Sequence, residues 1–348
     1  MFIRLRRLLG VLLYDVPAFE MRLRSLGRFA GHPSSWTLIK NRSEEIDDNG
    51  SGVRCRWQFT SELHIANVWP AAGRRLMRQA FTQWPVCFQR SPSAIAESPR
   101  VSFVIGHRGR ARLPHLLTTL QSIAGQSIEV ECIVVEQTLE PEIREDLPSW
   151  VRYIHTPIPH AGFDYSRSWT LNVGASSARG DVLILHDNDM IVPREYAAEA
   201  LRRIGEGWEF LDLKRFTFYL REDDSLRVFA AGELSPALPS TVVQNLKGAS
   251  IVALRDAYFS IGGFDETFVG WGGEDKEFWE RAEAGGRVWH WSYLPFVHLF
   301  HGAQQEKLRG NEAAGIRRWR EVTAIPPLDR IALLRDREMG RIDGPGLP

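Results

Sequence analysis

Cysteine, surplus charge and long apolar runs are all scarce in this chain. Its 348 residues include only three cysteines, Cys55, Cys87 and Cys132, which are too few and too scattered for a disulfide framework or a zinc site. Lys plus Arg and Asp plus Glu both number 43, so no overall charge favours nucleic acid as a partner. No apolar run reaches the roughly 20 residues that span a bilayer. We therefore expect a globular chain in a reducing cytoplasm, without a nucleic-acid partner.

The N-terminal segment MFIRLRRLLGVLLY mixes arginine with leucine. It begins like a signal peptide, but its apolar run is only about seven residues long and no small-residue cleavage site follows. Two interpretations stay open. The segment is either a helix packed on the protein or a basic amphipathic helix at the inner face of the cytoplasmic membrane.

Composition divides the chain into three regions. Residues 1–98 contain two strand patterns, at 36–40 and 53–59, with an acidic, glycine-containing loop at 44–52 between them. No chemistry is visible there, and we expect a small N-terminal α+β cap. Residues 99–305 form the main domain, and residues 306–348 are expected to form a C-terminal helix and a peripheral tail.

Strand and helix patterns alternate from residue 101 onward. Apolar runs predict strands at 101–105, 131–135, 151–155, 182–185, 208–218 and 248–254, and helical spacing predicts helices at 113–124, 164–178, 195–204 and 276–284. This order predicts an α/β fold with a mainly parallel sheet flanked by helices. Between 222 and 241 the pattern is aperiodic, which indicates either a lid or an irregular connection.

An acidic turn, Asp187-Asn188-Asp189, follows the buried strand at 182–185. Ligands of open α/β sheets bind beyond the carboxyl ends of the strands. Two carboxylates at positions i and i+2 repel each other unless a cation lies between them, and oxygen ligands suit Mg²⁺ or Mn²⁺. The turn is either a metal site, completed by a nucleoside diphosphate, or a solvated acidic turn.

A second cluster is Gly270-Trp271-Gly272-Gly273-Glu274-Asp275. Its glycines permit sharp turns and let a ligand approach the backbone closely. Trp271 offers a flat apolar face and an indole N–H, which suit the C–H surface and the hydroxyl groups of a sugar. Glu274 and Asp275 begin a helix, where carboxylates either complement the helix dipole or take part in chemistry.

Together, the acidic turn and residues 270–275 resemble the inverting branch of the GT-A nucleotide-sugar glycosyltransferases. This family 2-like branch includes β-1,4-galactosyltransferases and chondroitin-polymerase-type enzymes. The resemblance spans about residues 100–305. Within it, 102–110 looks like the first strand with its nucleotide loop, and 163–174 looks like the segment before the metal strand. The resemblance implies a GT-A, Rossmann-like fold.

The resemblance also implies roles for the acidic residues. Asp189, helped by Asp187, would hold Mn²⁺ or Mg²⁺ against the diphosphate, with His298 as a further ligand and His301 as the alternate. Asp275 would be the catalytic base, which accepts the proton of the attacking hydroxyl. Sugar contacts would come from Trp271, Gly273 and Glu274. Nucleotide contacts would come from Gly106, His107, Arg108, Glu136, Arg167, Asn172 and Asp187.

The expected function is metal-dependent transfer of a hexose, similar to Gal or GalNAc, from a UDP-sugar to a hydroxyl of a carbohydrate or lipid-linked glycan acceptor. An Asp at position 275 argues for inversion, because the retaining polypeptide-GalNAc branch has Asn there. The alternatives are a retaining transferase, a nucleotide-sugar hydrolase and a binding protein without activity.

Overall fold

The structure is a computed structural model that describes residues 2–15, 43–49, 52–93, 97–234, 239–302 and 305–345. Its strands are β1 (Glu44–Ile46), β2 (Val53–Cys55), β3 (Ser61–Glu62), β4 (Val101–His107), β5 (Glu131–Thr138), β6 (Arg152–Pro157), β7 (Val182–His186), β8 (Met190–Ile191), β9 (Phe210–Leu211), β10 (Lys214–Leu220), β11 (Pro239–Gln244), β12 (Ser250–Leu254), β13 (Val288–Trp289) and β14 (Leu294–His298). The strand predicted at 36–40 lies outside the described residues.

The helices are α1 (Phe2–Gly10), α2 (His64–Val68), α3 (Pro70–Gln83), α4 (Leu113–Ala124), α5 (Arg167–Ser177), α6 (Tyr196–Gly205), α7 (Glu222–Ala231), α8 (Arg255–Ser260), α9 (Glu274–Gly285), α10 (Gln305–Leu308), α11 (Ala314–Val322) and α12 (Pro327–Arg335). A π-helical turn follows α1 at Val11–Asp15, and 3₁₀ turns lie at Arg110–Arg112, Arg144–Asp146 and Gly310–Glu312. Within the described residues, no helix has both the length and the apolar character that crossing a lipid bilayer requires.

The central sheet has seven strands in the order β13-β9-β12-β7-β4-β5-β6. All of its neighbouring pairs are parallel except those of β12, which is antiparallel to β7 and β9. Successive residues of β7 point to opposite faces: Ile184 packs in a cluster with α4 and α6, and Leu185 packs in one with α5 and α9. Helices cover both faces of the central sheet, which explains why the sequence of β7 is a continuous apolar run. The predicted α/β fold with a mainly parallel sheet is confirmed and is consistent with a GT-A-like fold.

Local signals set the starts of α4 and α5. Pro114 lies in the first turn of α4, where its missing N–H costs nothing. Ser166 caps α5, because its side chain accepts a hydrogen bond from the backbone N–H of Trp169. Helices that follow parallel strands begin at the carboxyl edge of the sheet. This places Arg112, just before α4, and Arg167, the first residue of α5, at that edge.

A second sheet of five strands, in the order β3-β11-β10-β14-β8, is absent from the sequence-based prediction. The region predicted as one strand at 208–218 divides, because β9 joins the central sheet and β10 joins the second. In its described residues, the aperiodic stretch 222–241 contains α7 and the start of β11, so it is more regular than predicted. Three acidic residues lie in the first turn of α7, and Gly232 ends it with φ 65°, both favourable helix-end features.

The N-terminal region packs on this second sheet. Strand β3 pairs with β11, and α2 and α3 share an apolar cluster with β10 and β11. The loop predicted at 44–52 instead contains β1, which pairs with β2. Glu44, the first residue of β1, is fully buried, and its carboxylate lies 2.9 Å from the guanidinium of Arg215 in β10. The side chain of Gln244 donates a hydrogen bond to the same carboxylate. An acidic residue can be buried when such partners satisfy it. The domain boundary near residue 98 stays a prediction.

Replacing Glu44 by Ala should lower the free energy of unfolding by about 3–5 kcal/mol, because the Arg215 guanidinium would stay buried without its counter-charge. Glu45 is the matched control. Its carboxylate pairs with the exposed side chains of Arg54 and Arg56, so Glu45→Ala should leave stability almost unchanged. Urea unfolding followed by tryptophan fluorescence measures both variants, and equal losses would contradict the prediction.

Candidate active site

The acidic turn after β7 is held by groups from β4 and α4. The Thr119 hydroxyl donates to the backbone oxygen of Asn188 at 3.1 Å. The Asn188 amide donates to Nδ1 of His107 at 2.9 Å, and Nε2 of that ring donates to the Gly109 carbonyl at 3.1 Å. Burial lowers the pKa of His107 to about 4, so the ring is neutral and both nitrogens are used. His107, predicted to bind nucleotide, lies beneath the turn and supports it.

Asp189 faces two imidazoles at the end of β14. Its Oδ2 lies 3.8 Å from Nε2 of His298 and 3.3 Å from Nε2 of His301. The candidate ligand atoms of the three residues all lie within 4.8 Å of one another. Strands β8 and β14 pair with Met190 opposite His298, and the N–H of Leu299 donates to the Asp189 carbonyl at 2.9 Å. Pairing between distant strands therefore assembles this cluster. The cluster includes both His298, the predicted ligand, and His301, the predicted alternate.

Hydrogen bonding and burial in this cluster fit a cation. Nδ1 of His301 donates to the Gly302 carbonyl at 2.7 Å, which directs the Nε2 lone pair toward Asp189. Burial lowers the pKa of both His298 and His301, which favours neutral rings. A carboxylate and two imidazole lone pairs that converge repel one another unless a cation lies between them. Mixed oxygen and imidazole ligands, one of them oriented by a carbonyl, suit Mn²⁺ better than Mg²⁺.

Arg112 is a site residue that sequence reasoning missed. Its Nη1 lies 3.0 Å from Oδ2 of Asp189. Burial acts to raise the pKa of Asp189, but Arg112 and, in their protonated form, His298 and His301 act in the opposite direction, and the net shift is downward. The sequence did contain a signal for Arg112, because arginines recur at 108, 110 and 112 after the strand predicted at 101–105. These positions follow the carboxyl end of that strand, the edge at which open α/β sheets bind ligands.

Arg167 connects the acidic turn with the Trp-Gly cluster. Its Nε donates to Oδ1 of Asp187 at 2.7 Å, and its Nη1 donates to Oδ1 of Asp275 at 2.8 Å. Its Nη2 is buried and has no hydrogen-bond partner among the described residues. Asp187 is therefore turned toward Arg167 and away from the Asp189–histidine cluster. One guanidinium thus joins Asp187, predicted as a metal ligand, to Asp275, predicted as the base.

Three glycines give the Trp-Gly cluster its shape. Gly270, Gly272 and Gly273 have φ values of 82°, 98° and 93°, a region that favours glycine. Gly273 also immediately precedes α9, and a Cβ there would lie 2.6 Å from the carbonyl oxygen of Gly315 in α11. Lys307 Nζ lies 5.8 Å from the centre of the Trp271 ring. The turn is thus backed by residues from the C-terminal region.

That C-terminal region is not the peripheral tail expected from its composition. Arg330 of α12 is buried and binds Glu277 at 3.0 Å and Glu280 at 2.6 Å, both on α9. The backbone N–H of Gly340 donates to Glu266 at 2.7 Å. Composition predicts that an arginine-rich segment is exposed to solvent when the acidic residues that pair with it lie far away in the sequence. Here Arg330 pairs with α9, which carries Asp275 in its first turn.

Glu274 and Asp275 occupy different surroundings at the start of α9. Burial and the adjacent Asp275 raise the pKa of Glu274 to about 8, although Arg167 acts in the opposite direction. Glu274 can therefore donate a hydrogen bond at neutral pH. The carboxylate of Asp275 lies against Gly248, where an added Cβ would come within 2.1 Å of its Oδ2. Gly248 is a second site residue that the sequence did not reveal.

Two residues predicted to bind nucleotide are engaged with protein groups. Glu136 is buried and accepts hydrogen bonds from the backbone of Glu142 at 3.1 Å and from the Tyr153 hydroxyl at 2.5 Å. The Asn172 amide donates to the Phe264 carbonyl at 2.8 Å, and its oxygen accepts from the N–H of the same residue at 3.0 Å. Asn172 thus ties α5 to the segment that leads into the Trp-Gly cluster.

Gly106 and Arg108 also have structural partners. A Cβ at Gly106 would lie within 2.3 Å of hydroxyl oxygens of Tyr165 and Thr170, so only glycine fits there. Arg108 Nη2 donates to the Phe163 carbonyl at 2.7 Å. For these residues nucleotide contact stays a prediction, whereas Arg167 and Asp187 lie in the cleft itself.

One family model matches part of the chain. Residues 239–301 match the family model described as the N-terminal domain of galactosyltransferase, a segment that runs from β11 past β14 and contains residues 270–275. No curated protein matches the chain. Among solved structures, the mannosyltransferase PcManGT from Pyrobaculum calidifontis, in complex with GDP-Man and Mn²⁺, aligns with a TM-score of 0.42 and 14% identity over 76% of this chain and 82% of that chain. A similarity this low says nothing about substrate or mechanism.

The galactosyltransferase-type match supports a glycosyltransferase, the enzyme class that the sequence predicted. The narrower resemblance to β-1,4-galactosyltransferases and chondroitin-polymerase-type enzymes stays a prediction, as do the sugar and the acceptor.

Asp189→Ala and His301→Ala should each weaken Mn²⁺ binding by about a hundredfold or more. The reason is that losing a residue that only hydrogen-bonds to a metal ligand already weakens metal binding by up to about a hundredfold. Asp187→Ala should weaken it far less, since Asp187 faces Arg167. His160→Ala, at an exposed position outside the cluster, is the matched control for His301. The electron paramagnetic resonance signal of free Mn²⁺ measures all four. Equal losses for Asp187→Ala and Asp189→Ala would restore Asp187 as a ligand.

Glu274 should make the protein less stable as pH rises. Its ordinary pKa is 4.5 and its folded pKa is about 8, so between these values the folded state keeps a proton that the unfolded state has lost. The free energy of unfolding should fall across this window, by at most about 1.4 kcal/mol per pH unit. Glu274→Gln should flatten the slope. Urea unfolding at several pH values tests this, and parallel curves for both proteins would count against it.

Proposed function

We propose that the protein transfers a hexose, similar to Gal or GalNAc, from a UDP-sugar to a hydroxyl of a carbohydrate or lipid-linked glycan acceptor, with inversion. The observation that carries this proposal is the Arg167 bridge. Because one guanidinium binds both Asp187 and Asp275, the donor side and the acceptor side of the reaction can meet in one cleft.

The donor would bind at the end of β7. Asp189, His298 and His301 would hold Mn²⁺, which when bound offsets negative charge on the departing diphosphate. Arg112, now bound to Asp189, lies where it can contact a phosphate oxygen. The unpartnered Nη2 of Arg167 supplies a further donor for the diphosphate or the sugar.

The acceptor would bind near the start of α9. A cavity of about 500 Å³ is lined by Lys247, Trp57 and Trp279 among other residues. Trp279 lies one helical turn after Asp275 on the same face of α9, and its indole N–H donates to the Lys247 carbonyl at 2.9 Å. An oligosaccharide in this cavity would extend from the hydroxyl that reacts at Asp275.

Asp275 would act as the general base. Its carboxylate accepts the proton of the acceptor hydroxyl while that oxygen bonds to the anomeric carbon. The bond from the anomeric carbon to the UDP oxygen breaks, and its electron pair leaves with UDP. Attack opposite the leaving group inverts the anomeric centre. Protonated Glu274 would orient a sugar hydroxyl by donating a hydrogen bond.

Heat protection of the full chain identifies the donor. With Mn²⁺ present, a UDP-sugar should raise the melting temperature more than GDP- or dTDP-sugars do. NMR of the product anomer then separates inversion from retention. UDP release that does not depend on acceptor would indicate a hydrolase, and binding without turnover for every acceptor tried would indicate a non-catalytic protein.

Asp275→Asn should lower kcat by about 10²–10⁴-fold, the usual contribution of a general base. UDP and Mn²⁺ affinities should stay near those of the unmodified protein, because the metal cluster lies on β7 and β14. Asp256→Asn, at an exposed position on α8, is the matched control and should keep full activity. Transfer assays with calorimetric UDP titration check both halves. Normal turnover in Asp275→Asn would remove Asp275 from the mechanism.

A further inference from the structure

The first helix and the turn after it present a row of leucines to solvent. Leu5, Leu8, Leu9, Leu12 and Leu13 expose 53%, 37%, 49%, 49% and 60% of their surface, respectively. Their spacing of i, i+3, i+4, i+7 and i+8 is that of a single helix face. We call these five residues the leucine stripe. Isolated exposed leucines are ordinary, but a continuous row indicates a surface that binds something.

The opposite side of the same segment already packs on the protein. Val11 is completely buried in the cluster that contains Leu63 and Ile65. Arg7 Nη2 lies 2.9 Å from a carboxylate oxygen of Glu62. On an α-helical wheel, position 7 lies about 170° and position 11 about 130° from the middle of the leucine stripe. The segment is therefore anchored without the stripe, which stays exposed in the part of the chain that the structure describes.

The charge of this segment is mainly positive. Residues 2–15 contain Arg4, Arg6 and Arg7, and a single acidic residue, Asp15, at the end of the turn. Arg6 is exposed beside the leucine stripe. An apolar helix face flanked by cations is typical of helices that lie in the interface of an anionic membrane.

We propose that the leucine stripe docks the protein on the surface of a bilayer that contains anionic lipid. The leucines enter the boundary between headgroups and acyl chains, and Arg6, beside the stripe, contacts lipid phosphates. A second copy of this chain fits less well, because a symmetric contact through the stripe would bring two sets of arginines together. This docking is independent of the reaction proposed above.

Vesicle sedimentation of the full chain tests the proposal. The protein should bind vesicles of phosphatidylcholine and phosphatidylglycerol in equal parts, and bind phosphatidylcholine vesicles much less. Leu5→Ser with Leu9→Ser should weaken binding to the mixed vesicles by about tenfold or more, because two apolar side chains no longer insert. Arg6→Gln should weaken it about fivefold, the usual effect of one cation near an anionic surface.

The matched control is Leu328→Ser with Leu333→Ser on α12, where the two leucines expose 63% and 53% of their surface. This pair should bind vesicles like the unmodified protein, and circular dichroism should show all variants folded. The proposal is overturned if the unmodified protein does not sediment with mixed vesicles, or if the Leu5/Leu9 variant binds as well as the control. It is also overturned if light scattering shows a dimer that the Leu5/Leu9 changes dissociate.

Discussion

The guanidinium of Arg167 is the interaction on which the cleft depends. It lies between Asp187, at the end of a central strand, and Asp275, in the first turn of α9. Without a cation at this point, the carboxylates of Asp187, Glu274 and Asp275 would repel one another in a poorly hydrated space. Even with it, burial and the neighbouring negative charge keep the pKa of Glu274 near 8. One arginine thus holds two distant parts of the chain together and sets their electrostatics.

The metal side of the cleft has a different electrostatic arrangement. Asp189 is surrounded by Arg112, His298 and His301, so one cation and two imidazole rings lie around a single carboxylate. Arg112 holds a place near the carboxylate that a divalent cation would share or take. Under the proposed function, metal binding would free Arg112 to contact the phosphates of the donor. The donor and its metal would then be bound in a coupled manner.

Several residues predicted to contact the nucleotide also support the site. His107 and Asn188 fix the acidic turn, Asn172 fixes the segment before the Trp-Gly cluster, and Glu136 organises a loop at the end of β5. His107, Asn172 and Glu136 are buried and hydrogen-bonded, as buried polar groups generally are. A sequence motif can therefore contain residues that support a site as well as residues that contact its ligand. Arg330 and Gly315, from the C-terminal region, also support the site, because they pack against α9 and the Trp-Gly cluster.

The sequence alone determined the alternating strands and helices of the central sheet, because a strand buried on both faces needs a continuous apolar run and its covering helices need a periodic one. It also located the acidic turn and the Trp-Gly cluster, because glycine, tryptophan and paired carboxylates are distinctive at short range. Only the tertiary structure decided which side chains meet. The pairing of β8 with β14 selected both histidines for Asp189, the start of α5 aimed Arg167 at two carboxylates, and Glu44 became buried because Arg215 lies opposite. Such contacts join residues far apart in the chain, and no local pattern encodes them.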